Sequence, residues 1–82
     1  MSVSDKVKGL LALRGVKQLD LAAEFGMSKQ TMSNKFARNS WSANDLAKAA
    51  EFCGCKLAIV MPDGQQIIVE SEADDKEKGP DA

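Results

Sequence analysis

Three polar residues recur at intervals of four in the middle of the chain, at Gln30, Asn34 and Arg38. On a helix of about 3.6 residues per turn, this spacing places all three side chains on one face. The amide groups of Gln and Asn can bond bidentately to the N6 and N7 atoms of adenine, and cations bind guanine or phosphate. The segment from Lys29 to Arg38 contains no acidic residue. We therefore expect a helix whose outer face reads base pairs in the major groove of DNA.

The polar residues around this face form two sets, which differ in the part of the DNA that each can reach. Lys29 and Ser33 lie on one shoulder of the helix, and the Thr31 methyl group can contact thymine. Exposed amide groups at the starts of two helices, at Gln18 and Ser28, favour phosphate anions. The predicted base-reading residues are Lys29, Gln30, Thr31, Ser33 and Asn34. The predicted phosphate-contacting residues are Gln18, Ser28, Lys35, Arg38 and Asn39.

Apolar residues on the opposite side of the same segment attach this helix to a core. Met32 and Phe36 are four residues apart and point away from the polar face. A shorter amphipathic helix, from about Gln18 to Phe25, precedes it. Gly26 separates the two helices because glycine adopts the left-handed conformation of a sharp turn without strain. Ser28 then caps the second helix of the pair.

Two further helices are predicted, one on either side of this pair. Ser4 can cap a first helix that runs to about Arg14. Ser42 and Asp45 resemble a capping box, with Asp in place of the usual Glu, at the start of a fourth helix. That helix ends near Cys53. The first two thirds of the chain are therefore expected to form four short helices joined by tight connections.

The chain changes character after residue 55, where two apolar, β-branched segments flank Pro62, Asp63 and Gly64. A Pro at the first turn position and a Gly in a left-handed position suit a three-residue hairpin loop with a bulge. The predicted cross-strand pairs are Leu57 with Val69, Ile59 with Ile67, and Met61 with Gln65. Both faces of this hairpin are substantially apolar, so packing one face on the helices leaves the other without a cover.

The uncovered face and the free edges of the hairpin indicate an interface. An isolated two-stranded hairpin is barely stable in water, and its unpaired edges invite another chain. A second copy of the protein can supply both cover and pairing, so we expect a homodimer. The alternative is a hairpin that only packs on its own helices. The predicted interface residues are Leu57, Ala58, Ile59, Val60, Met61, Ile67, Ile68 and Val69.

The residue content of the chain argues against several other classes of function. The chain has no His, no glycine-rich nucleotide loop and no convincing pair of acids, so we expect no enzymatic activity. Cys53 and Cys55 are the only cysteines. A disulfide across one residue is geometrically poor and a zinc site would lack its usual ligands, so we interpret both as reduced thiols. We predict no metal, no cofactor and no small-molecule effector.

Nothing in the sequence predicts attachment to a membrane. No apolar run approaches the roughly 18 residues that a membrane span requires. The first ten residues also lack the long apolar region of a signal peptide. We therefore expect a cytoplasmic protein without a membrane partner.

The segment from Leu21 to Ser33 reads L-A-x-x-x-G-M-S-x-x-x-M-S, and it resembles the helix-turn-helix of the phage-repressor family of Cro/Xre type. The resemblance covers about residues 4–54, and Gln18 matches the glutamine at the start of the first motif helix. It implies a DNA-binding domain with base-reading side chains at Lys29, Gln30 and Asn34 and phosphate contacts at Gln18 and Ser28. Two departures from the family pattern are the segment from Lys35 to Asn39 and the hairpin, which replaces a fifth helix.

These inferences give a mainly α fold, a four-helix lambda-repressor-like helix-turn-helix domain followed by a C-terminal β-hairpin. We divide the chain into a DNA-binding domain at residues 1–55, a dimerisation hairpin at 56–70 and a disordered acidic tail at 71–82. Residues 1–61 carry nine Lys and Arg against five Asp and Glu, whereas residues 62–82 carry two against seven. The helical part is thus basic despite a net charge of −1, and the local field decides attraction to nucleic acid.

The function predicted from the sequence is a DNA-binding transcriptional regulator of bacterial or phage type. We expect a repressor that binds double-stranded DNA as a homodimer and reads an inverted-repeat operator through the major groove. The alternative is an antitoxin-like or other protein-interaction module that uses the hairpin to bind a partner protein.

Overall fold

A computed structural model of the chain describes residues 2–72. The helices are α1 (Val3–Arg14), α2 (Gln18–Glu24), α3 (Lys29–Arg38) and α4 (Ala43–Phe52). The strands β1 (Leu57–Val60) and β2 (Gln66–Val69) follow and pair with each other antiparallel. The predicted fold, mainly helical with a C-terminal hairpin, is confirmed. In the described part of the chain, no helix is both long enough and apolar enough to cross a membrane.

Serine side chains cap α1, α3 and α4 by accepting backbone hydrogen bonds from the first turn. Ser28 caps α3 as predicted, and Ser42 forms the predicted capping box with Asp45 at the start of α4. The predicted cap of α1 is wrong, because Ser2 rather than Ser4 occupies that position. Helix α1 therefore begins earlier than predicted, and the Ser4 side chain is free to face the core.

The core lies between the helices and includes Leu21 of α2 and Met32 of α3, both 0% exposed. Ala22 is also buried, and its small side chain suits a position where two helices pack closely. Gly26 has a φ of +68° in the turn between α2 and α3, a left-handed conformation that glycine adopts at little cost. With Met32 and Phe36 turned inward, α3 is held with its polar face toward solvent.

A side chain from α1 caps the C-terminal end of α4. The Arg14 Nε donates a hydrogen bond of 2.8 Å to the carbonyl oxygen of Cys53, the residue that ends α4. This contact satisfies a terminal carbonyl that has no partner within the helix. Cys53 and Cys55 are free thiols. Burial raises the pKa of the Cys53 thiol, so this side chain behaves as a small apolar group.

The hairpin has the predicted register. The paired residues are Leu57 with Val69, Ala58 with Ile68, Ile59 with Ile67 and Val60 with Gln66. Beyond the strands, the Met61 N–H donates to the Gln65 carbonyl oxygen at 2.7 Å. Gly64 has a φ of +96°, so it occupies the left-handed loop position that the sequence predicted.

Only the base of the hairpin is covered by the helices. Leu57, Ala58 and Val69 are half-buried, and both strands contact α4. Further along, the exposed fractions are 55% for Ile59, 63% for Val60, 52% for Ile67 and 40% for Ile68. We refer to this outer part, residues 59–68, as the arm. The hairpin therefore does pack on its own helices, but its arm projects beyond them with large apolar side chains in solvent.

The chain beyond β2 returns to α4. The Glu51 carboxylate accepts hydrogen bonds from the Ser71 N–H at 2.9 Å and from the Ser71 hydroxyl at 2.6 Å. These bonds hold the pKa of the Glu51 carboxyl below its ordinary value. The Asn44 side-chain oxygen accepts a further bond from the Glu72 N–H at 2.6 Å. The rest of the predicted acidic tail lies outside the described residues.

Candidate nucleic-acid interface

The outward face of α3 presents every predicted base-reading residue to solvent. The exposed residues are Lys29, Gln30, Thr31, Ser33 and Asn34. The Gln30 Nε2 donates a hydrogen bond of 3.2 Å to the Asn34 Oδ1, so the two amides form a pair along the helix. This bond leaves the Gln30 side-chain oxygen as an acceptor and the Asn34 amide hydrogens as donors. The pair can therefore offer one acceptor and at least one donor to the edge of a base.

The start of α3 combines a side-chain cap with a basic residue. The Ser28 Oγ accepts a hydrogen bond from the Thr31 N–H at 3.1 Å and donates one to the Thr31 Oγ1 at 2.9 Å. The Thr31 hydroxyl hydrogen stays available because its oxygen is the acceptor in that second bond. Lys29 adds a positive charge to the helix end that already attracts anions. This end of α3 suits a phosphate group.

Gln18 lies beside the start of α3 although it precedes Lys29 by eleven positions in the sequence. Gln18 and Lys29 line one cleft between α2 and α3, and Ala22 and Met32 line the same cleft. The first residue of α2 and the first residue of α3 are thus brought together. Two of the residues predicted from separate parts of the sequence therefore meet on one surface.

Lys35, a predicted phosphate-contacting residue, is engaged within the protein. Its Nζ lies 2.7 Å from the Asp45 Oδ2 and donates to the Ser40 carbonyl oxygen, also at 2.7 Å. The ammonium group also lies 4.9 Å from the centre of the Trp41 ring. Only 12% of the Lys35 side chain is exposed. Lys35 therefore holds the connection between α3 and α4, and a phosphate would have to compete with these partners.

The pKa of the Asp45 carboxyl reflects these contacts. Partial burial raises the pKa of Asp45, but the hydrogen bond from Lys35 and the backbone bond from Ser42 outweigh burial. The net effect holds the pKa of Asp45 below its ordinary value. The carboxylate stays ionised at neutral pH and keeps the ion pair with Lys35 in place.

Arg38 and Asn39 end α3, and both are exposed. Asn39 has a φ of +56°, in the left-handed region that Asn tolerates better than most residues. Its Oδ1 accepts a hydrogen bond of 2.7 Å from the Ser4 N–H, which leaves the two amide hydrogens of Asn39 for another acceptor. Arg38 is the exposed cation at this end of α3, so it is well placed to reach a phosphate.

Ser4 is a positioning residue that our reading of the sequence did not identify. Its hydroxyl donates to the Phe36 carbonyl oxygen at 2.7 Å and accepts from the Trp41 Nε1 at 3.0 Å. Together with the bond to Asn39, these contacts tie the start of α1 to the end of α3. A signal was present, because Ser4 shares the inward face of α1 with Val7, three residues away.

We predict that Ser4→Ala lowers the free energy of unfolding by about 1–3 kcal/mol, because the buried Phe36 carbonyl and the partly buried Trp41 N–H lose their partner. Urea titration at fixed protein concentration, followed by the fluorescence of the single tryptophan, measures this change. Ser40→Ala is the matched control, since Ser40 is exposed and surface substitutions usually change stability by no more than about 0.5 kcal/mol. Equal stability of the two variants would contradict the role of Ser4.

Comparison with known protein families identifies a match. The family model of the bacteriophage CI repressor helix-turn-helix domain matches residues 7–63. The match begins within α1, contains the whole of α2, α3 and α4, and ends in the hairpin loop. Neither the search of curated proteins nor the search of solved structures found a match.

Proposed function

The chain belongs to the bacteriophage CI repressor helix-turn-helix family, and on that basis we propose that it represses transcription by binding a specific DNA operator. The family is one of DNA-binding repressor domains and is not a class of enzymes. The observation that carries the finer proposal is the outward face of α3, where the Gln30 and Asn34 amides are paired. No acidic residue interrupts this face. The protein bound at its operator would prevent RNA polymerase from binding the same DNA.

The proposed docking places α3 in the major groove with its start toward one phosphate strand. Gln30 and Asn34 then face base edges, with Lys29, Thr31 and Ser33 beside them. Gln18, Ser28 and the start of α3 contact the backbone on one side. Arg38 and the free amide hydrogens of Asn39 contact it on the other. We leave Lys35 out of the phosphate set because Asp45 and Ser40 hold its ammonium group.

A single α3 contacts only a few base pairs, so we propose that the protein binds DNA as a homodimer. Two-fold dimers place their recognition helices about 34–36 Å apart, which matches two successive major grooves on one face of the DNA. The arm supports dimerisation because its large aliphatic side chains are roughly half exposed. Each contributes about 1 kcal/mol when the exposed half is buried. The proposed interface residues are Leu57, Ala58, Ile59, Val60, Met61, Ile67, Ile68 and Val69.

The second candidate is an antitoxin-like or other protein-interaction module. The same exposed arm favours it, since an apolar strand pair can dock on a different protein as well as on a second copy. A solution mass at micromolar concentration distinguishes the two proposals. A dimer mass supports the proposal of a homodimeric repressor. A monomer that forms a stable complex with another protein supports the proposal of a protein-interaction module.

We predict that Arg38→Ala weakens binding to operator and to random-sequence duplex by a similar factor, because a phosphate contact carries no sequence information. The slope of log affinity against log salt concentration should fall by about 1 for each Arg38 that contacts a phosphate. Fluorescence anisotropy with labelled duplexes between 50 and 200 mM salt measures both quantities, over a range in which salt acts strongly. Lys8→Ala, which removes an exposed cation of α1 outside the proposed DNA contacts, is the control. An unchanged slope for Arg38→Ala would exclude Arg38 from the phosphate contacts.

A further inference from the structure

An apolar groove runs between α1 and α4 and ends at the start of β1. Val3 lines it from α1, Leu46 from α4 and Leu57 from β1, and its volume is about 320 Å³. Lys6 and Lys56 are the charged residues that line it. Nothing among residues 2–72 fills this groove, although Val7, Ala49 and Ala50 in its lining are themselves buried.

The groove and the arm form one continuous apolar surface. Side chains two residues apart on a strand share a face, and so do directly opposed residues of paired strands. Leu57, Ile59 and Ile67 therefore lie on one face of the hairpin. Leu57 lines the groove, while Ile59 and Ile67 are 55% and 52% exposed. The apolar surface thus continues from the groove onto the arm without a polar break.

We propose that the arm of one copy lies in the α1–α4 groove of a second copy, and that the second copy's arm lies in the groove of the first. This inference rests on the homodimer proposed above and assigns it an interface. A two-fold axis between the copies makes the exchange reciprocal. Because this symmetry uses the arm and the groove of both copies at once, the assembly closes at two copies instead of growing into a fibre.

Charge complementarity favours a second copy as the occupant of the groove. Asp63 is the only charged residue in the arm, whereas the groove is lined by two lysines, Lys6 and Lys56. Exchange of arms therefore brings opposite charges together at the rim of an apolar contact. Face-to-face pairing of two arms would leave both grooves open and would give Asp63 no lysine from a groove.

The natural thiol Cys55 provides a test, because it lines the groove. In the variant Ile67→Cys, the new thiol lies on the arm, opposite Ile59. Cys55 lies before β1, four residues from Ile59, and a disulfide requires Cα atoms within about 7 Å. A non-reducing gel separates a disulfide between two copies, which doubles the mass of the chain, from a disulfide within one copy. Cys53 is 4% exposed and does not compete.

We expect mild oxidation to convert Ile67→Cys into a disulfide-linked dimer on a non-reducing gel. Adding Cys55→Ser to the same chain should abolish that dimer. A linked dimer that persists in the double variant would mean that two arms pair with each other, which overturns the proposal. Absence of any linked dimer, although the natural protein has a dimer mass, overturns it as well.

A second pair of variants tests the groove without introducing cysteine. Val3→Glu places a charge in the groove at the start of α1, where an acidic residue suits the helix. We expect it to raise the dimer dissociation constant at least tenfold in analytical ultracentrifugation. Leu13→Glu is the control on the same helix, since Leu13 is 86% exposed and lies outside the groove lining. Equal dissociation constants for the two variants would overturn the groove as the docking surface.

A failure of the exchange is distinguishable from a failure of the proposed function. The mass and the operator affinity of the natural protein report on the homodimer and on DNA binding, independently of any cross-link. A monomeric natural protein overturns both the homodimer and the exchange. A dimeric, operator-binding protein in which neither pair of variants behaves as described overturns only the exchange.

Discussion

Asn34→Ala is expected to lower operator affinity far more than affinity for random-sequence DNA. A good bidentate contact between an amide and a base contributes about 1–3 kcal/mol of discrimination. A dimer loses that contact twice, so the loss is about 2–6 kcal/mol, or roughly thirty-fold to twenty-thousand-fold in the dissociation constant. The change also removes the hydrogen bond that Gln30 donates to Asn34. The Gln30 side chain, a second base-reading group, then loses the contact that orients it.

The measurement is a pair of binding curves, for operator and for a scrambled duplex, at one salt concentration. Asn34 is exposed and Ala favours helix, so the variant should remain folded. Asn44→Ala is the matched control, because Asn44 lies on α4 and its side chain bonds the Glu72 backbone. The control should keep the natural ratio of specific to non-specific affinity. If Asn34→Ala weakened both duplexes equally, Asn34 would not read bases.

Leu21→Ala is expected to lower the free energy of unfolding by about 2–5 kcal/mol, because it leaves a cavity in the core. Leu21 is 0% exposed and belongs to the same apolar cluster as Met32 and Phe36. The total stability of a domain is about 5–15 kcal/mol, so this single change can populate the unfolded state. Loss of DNA binding would then follow from unfolding and not from a lost contact.

Leu19→Ala is the matched control for this prediction. Leu19 lies on the same helix, two residues from Leu21, but is 59% exposed. We expect its urea midpoint to stay close to that of the natural protein. Both titrations need the same protein concentration, because association shifts the apparent stability of a dimer. Comparable losses for Leu19→Ala and Leu21→Ala would contradict the placement of α2 in the core.

Much of the fold could be predicted from the sequence because local signals and core packing agree. The starts of α3 and α4 were indicated by their capping residues, Ser28, Ser42 and Asp45. The turn between α2 and α3 was indicated by Gly26. The register of the hairpin followed from the chemistry of its loop, in which Gly64 takes a left-handed conformation. In each case a few neighbouring residues determine the structure, so no knowledge of distant contacts was required.

The features that could not be predicted depend on contacts between distant segments. Ser4 fits the pattern of a helix cap equally well, and only its approach to Phe36, 32 residues away, turns it into a positioning residue. Lys35 is a residue type that commonly contacts phosphate, but the packing of α4 against α3 brings the Asp45 Oδ2 within 2.7 Å of the Lys35 Nζ. Periodicity likewise did not indicate that Ala47, on α4, is fully buried.

The exposure of the outer end of the hairpin could not be predicted from the sequence either. Apolar residues on both faces predicted an interface, but the sequence does not indicate how much of the hairpin the protein's own helices cover. In the structure, cover stops near Leu57, Ala58 and Val69, and the arm begins at Ile59. The α1–α4 groove could not be anticipated either, because α1, which forms one wall, is far in the sequence from α4 and β1.

Selection of bound duplexes from a random DNA pool tests the central claim most directly. We predict enrichment of an inverted repeat whose half-sites are centred about 10–10.5 base pairs apart, or a multiple of that spacing. The pool bound by Asn34→Ala should lose that motif while the natural protein retains it. A natural protein that enriches no sequence above the starting pool would contradict the account.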